Sequence, residues 1–66
     1  MEKIKCNIVY KEEGKPSKAK FNFTLMKDTP IIENPLKHTA VVVIGGNPFE
    51  TDLDYNALIE KQKQLP

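Results

Sequence analysis

Ala40-Val41-Val42-Val43-Ile44, followed at once by Gly45-Gly46-Asn47-Pro48, decides how this chain folds. The run is too short for a free-standing helix, is dominated by β-branched side chains and stops at strong turn residues. It reads as a strand. Successive strand side chains point to opposite faces, so an unbroken apolar run puts hydrocarbon on both faces of a sheet. Only the C-terminal segment offers a helix, and one helix covers one face. The other face calls for further cover: a second copy of the chain, another protein, or the connector folded back. A two-fold homodimer is the commonest solution among soluble chains.

Upstream of that strand the pattern changes to strict alternation. Ile4, Cys6, Ile8 and Tyr10 alternate with Lys3, Lys5, Asn7 and Lys11, and only Val9 interrupts the polar row. Ala19, Phe21, Phe23 and Leu25 alternate in the same way with Lys18, Lys20, Asn22 and Thr24. A period of two marks half-buried strands, and the two segments are expected to pair antiparallel, aromatic row against aliphatic row. Glu12-Glu13-Gly14-Lys15-Pro16-Ser17 between them reads as a loop longer than a tight two-residue turn.

Residues 27–38 form a connector marked by Pro30 and Pro35, each of which removes a backbone donor and extends the residue before it. Ile31, Ile32 and Leu36 make this connector unusually apolar. As buried residues they plug the end of the core, which is the default for such side chains. As exposed ones they form a rim that meets another protein.

The C-terminal segment carries two competing patterns. Thr51 is a candidate helix cap, Asp52 and Asp54 suit a helix N-terminus, and Lys61 and Lys63 suit its C-terminus. Tyr55, Leu58, Ile59 and Gln62 then share one helical face. Alternatively, Phe49, Thr51, Leu53 and Tyr55 line one face of a further strand after the Gly-Gly turn. Two aspartates disfavour a strand, so a helix over about 51–63 is preferred.

Composition bounds the rest. The chain has 66 residues, near the lower end of what folds without staples. One cysteine, Cys6, excludes an internal disulfide and points to a reducing, cytoplasmic setting. No stretch approaches the length of a membrane span, and the charged N-terminus does not resemble a signal peptide. The net charge of +1 hides an asymmetry: residues 1–27 carry seven lysines against three glutamates, and residues 28–66 three lysines against six acids.

Chemistry is scarce. His38 is the single histidine and lacks partners for catalysis, and Cys6 falls on an apolar strand face, where it acts as a small hydrophobe. Glu50, Asp52 and Asp54 lack the ligand count and glycine placement of a calcium loop. Gly45-Gly46 lacks the Lys-Ser/Thr pair of a phosphate loop. No enzyme, metal or cofactor is expected.

The sequence thus predicts a single small α+β domain over 1–66. A small antiparallel sheet, made of a hairpin over 3–26 and a third strand at 39–44, follows a connector at 27–38 and carries one C-terminal helix on one face. The expected function is a non-catalytic protein–protein interaction module, a small regulator or inhibitor of a larger intracellular protein, which also forms a homodimer. Its protein-binding candidates are Ile31, Ile32, Leu36, Val41 and Val43. The alternative is a nucleic-acid-binding protein that uses Lys11, Lys15, Lys18 and Lys20. The absence of arginine and tryptophan weighs against it, as does the placement of Phe21 and Phe23 on the opposite face from the lysines.

Overall fold

The computed structural model describes residues 1–66, beginning with a hairpin of two long strands, β1 (Glu2–Glu12) and β2 (Lys15–Leu25). They are antiparallel and in register along their full length, with Ile4 opposite Phe23, Cys6 opposite Phe21 and Ile8 opposite Ala19. The connection is the two-residue turn Glu13-Gly14, not the longer loop that the sequence suggests. Glu13 (φ 53°) and Gly14 (φ 78°) both take the left-handed conformation of a type I′ turn, whose twist matches the strands it joins. Pairing therefore runs on through Lys11–Pro16 and Glu12–Lys15.

The expected sheet of three strands is corrected to one of five. A short β3 (Ile31–Glu33) lies inside the connector, framed by Pro30 and Pro35. It pairs with β4 (Thr39–Ile44), and β4 pairs in turn with β5 (Asn47–Asp54) across the Gly45-Gly46 turn. The strand order is β2-β1-β5-β4-β3, all neighbours antiparallel. The residues assigned to the first turn of a helix at 51–54 thus belong to a strand, and α1 begins only at Tyr55 and ends at Lys63.

The two aspartates that weighed against that strand each hold a backbone donor. Asp52 Oδ1 accepts from the Asn7 backbone N–H at 3.1 Å, and Oδ2 from the Asn7 side-chain amide at 3.0 Å. Asp52 thereby supplies an acceptor where β5 leaves β1. Asp54 caps the helix, accepting from the Ala57 N–H at 3.0 Å. Acidic side chains that intrinsic preference would place in a helix are stable in this strand because the backbone needs acceptors there.

The sheet is curled. Only Ile8 and Thr51 form a ladder pair between β1 and β5, and a register irregularity between Thr39 and Val41 marks the β4–β5 pairing. Thr51 anchors the bend: its hydroxyl is buried, donates to the Ala40 carbonyl at 2.7 Å and accepts from the Leu53 N–H at 3.2 Å. One groove is lined by both β2 and β4, which lie three strand positions apart and would stand about 14 Å apart in a flat sheet.

Inside the curl the core is small: Ile4, Phe23, Leu25, Ala40, Val42 and Leu58. Helix α1 presses Leu58 onto it, and Gln62 Nε2 donates to the carbonyls of Met26 (2.9 Å) and Thr29 (2.8 Å), tying the connector to the helix. His38, in a left-handed conformation at φ 58°, accepts the Tyr55 N–H on its backbone carbonyl at 3.0 Å. No helix is long and apolar enough to cross a membrane.

Candidate functional site

Helix α1 covers only one end of the inner sheet face. At the other end Phe21 from β2 stacks on Phe49 from β5, ring centroids 4.9 Å apart, and on Phe23 at 5.9 Å. These rings floor a groove of about 680 Å³, walled by Met26 and Pro30 on the connector and by Ile44 at the end of β4. Phe21, Ile44 and Phe49 are half-buried and Met26 is exposed. The volume lies within the range of ordinary ligand clefts, and the floor is apolar and aromatic.

One wall of the groove is a free strand edge. A two-residue hairpin makes the residues flanking its turn a hydrogen-bonded pair, and such pairs then alternate along the ladder. Ser17, Ala19, Phe21 and Phe23 therefore direct their peptide groups to β1. Lys18, Lys20, Asn22 and Thr24 direct theirs outward, and no hydrogen bond engages them. The same phase appears on β1, where the Asn7 N–H points away from β2 to Asp52. At eleven residues β2 is the long free edge of the sheet, whereas the other edge, β3, has three.

The outer face of this hairpin is basic. Register places Lys3, Lys5, Lys11, Lys18 and Lys20 on it with Asn7, Asn22 and Thr24, while Glu2 and Glu12 fall on the inner side. The five lysines are exposed, and none forms an ion pair; the ion pairs are His38–Glu33, Lys61–Glu2 and Lys63–Glu60. Of the lysines singled out from sequence, Lys11, Lys18 and Lys20 share this face. Lys15 lies opposite Glu12 on the other side of the ladder.

The apolar candidates converge only in part. Ile31 faces inward opposite Val42 and packs on the core. Ile32 faces outward opposite Val41 and is 57% exposed. Val41 and Val43 are half-buried on the outer face, beside Glu50 and Pro48 of β5, and Leu36 stands alone in a turn at 90% exposure. Phe21 lies on the face opposite the lysines, as its alternation predicts, and packs against the core. The groove is not legible from sequence, because only the curl brings Phe49 to it.

Titratable groups add little chemistry. Burial, and then the Asp52 charge, pushes the Cys6 thiol up, away from the reactive thiolate. The Asn7 side-chain amide, and then the Asn7 backbone N–H, hold Asp52 below the usual carboxylate range. No group of three or more His, Cys, Asp or Glu side chains is placed to hold a metal ion. Comparison with protein-family models, with curated proteins and with solved structures finds no match for the chain.

Proposed function

We propose that the chain is a non-catalytic protein-interaction module whose contact surface is the aromatic groove at the open end of the sheet. The single observation that carries this reading is the Phe21–Phe49 stack, an aromatic pair on the floor of an open cleft beside an unpaired strand edge. Aromatic side chains in a cleft dominate the energetics of protein contacts, and a free edge adds main-chain hydrogen bonds. The lone thiol suits a reducing cytoplasm, where the chain acts as a small regulator or inhibitor of a larger protein. Self-association accompanies this reading through a second, smaller patch of Ile32, Val41 and Val43 on the outer face.

Site-specific photo-crosslinking in the native host tests it. A photoreactive residue in place of Met26, on the groove wall, is expected to yield discrete protein adducts, and one in place of Glu13, at the hairpin tip, none. Adducts at neither position, or equally at both, contradict the groove as the contact surface.

Nucleic acid is the second reading, favoured by one observation: five unpaired lysines on a hairpin face without acids. It ranks behind because Phe21 and Phe23 lie on the opposite face, so no base stacks where the phosphates would sit. An electrophoretic shift of RNA or DNA at low salt would promote it.

A further inference from the structure

Resting on the groove reading, we infer that the partner segment is an extended, acidic strand with alternating apolar residues, which adds to the outer edge of β2. The outward peptide groups of Lys18, Lys20, Asn22 and Thr24 are spaced to pair with such a strand, and Asn22 and Thr24 border the groove. Alternation then assigns its side chains. One set descends onto Phe21, Phe23 and Phe49, where apolar groups gain by leaving water. The other set lies on the outer face beside Lys18 and Lys20, neither of which is held in an ion pair, although Asp52 of β5 lies near enough to Lys18 to feel its charge. Opposite charges on neighbouring strands attract and like charges repel.

The same lysines discriminate against a second copy. In a two-fold β2–β2 pairing, residues of the outer face meet their own kind, so the lysine row faces a lysine row. The edge is thus guarded against self-pairing by a device that leaves it open to an acidic strand.

Selection of short random peptides displayed on phage against the full chain tests this. The enriched sequences are expected to alternate Asp or Glu with Val, Ile, Leu or Phe. A synthetic peptide of that pattern is expected to bind at least about tenfold more weakly to the double variant Lys18→Glu, Lys20→Glu, and more weakly as salt rises. Both lysines are exposed and form no ion pair, and the amide spectrum of the variant checks that it keeps its fold with a carboxylate at position 18 set near Asp52. Enriched peptides without acidic alternation, or with unchanged affinity for the double variant, overturn the acidic strand. If those peptides nevertheless fail to bind a Met26→Lys variant, the groove reading stands alone. No enrichment, or binding insensitive to both variants, overturns the two together.

Discussion

Phe21 and Phe49 stack with centroids 4.9 Å apart although a whole strand, β1, separates the strands that carry them. The contact is a consequence of the curl at β5 and exists in no flat sheet of the same order. Phe21 on this floor is half-buried, whereas Phe23 beside it is 6% exposed and belongs to the core cluster. Truncation should separate the two roles. Phe23→Ala is expected to cost about 3–5 kcal/mol, most of what a chain this size has, and to abolish cooperative unfolding. Phe21→Ala should remain folded with a lower urea midpoint while losing peptide binding.

Two threonines predict opposite signs. The Thr51 hydroxyl is buried with two partners, so Thr51→Val removes one hydrogen bond from the Ala40 carbonyl and one from the Leu53 N–H and should cost about 1–3 kcal/mol. The Thr39 hydroxyl is buried with none. Thr39→Val, of nearly the same shape, should be neutral or stabilising. Urea denaturation of both variants reads the difference.

Asp52 sets a pH dependence. Its folded pKa is lowered, chiefly by the Asn7 side-chain amide, so its contribution is present above the unfolded carboxylate value and is lost as pH falls through the folded one. Asp52→Asn should flatten the acid limb of the urea midpoint plotted against pH. The effect is small, because the group is exposed and screened.

The hairpin turn can be improved. Glu13 occupies φ 53° without the tolerance of Asn for that region. Glu13→Asn creates the Asn-Gly pair preferred in type I′ turns and should raise the thermal midpoint, whereas Gly14→Ala should lower it.

How much of this was legible in sequence follows from where the signal lies. The β1–β2 hairpin was readable because Ile4, Cys6 and Ile8 alternate with polar residues, and parity alone fixes the faces. The helical stripe was readable too, with Leu58 buried and Tyr55, Ile59 and Gln62 half-buried around it. β5 was hidden by Asp52 and Asp54, whose acceptors serve Asn7 and Ala57, contacts that no local pattern encodes. The two-residue turn was hidden because Glu13 is an uncommon residue at positive φ. The groove was out of reach for a different reason: it needs both β5 and the curl to exist before Phe49 can meet Phe21.

The free edge of β2 is the claim on which the binding account turns, and amide hydrogen exchange of the uncomplexed chain measures it directly. The account predicts alternation along β2. The amides of Lys18, Lys20, Asn22 and Thr24 should exchange fast, and those of Ala19, Phe21 and Phe23 slowly, because only the latter are bonded to β1. Uniform protection from Lys18 to Thr24 would mean that the edge is already paired, and would contradict the account.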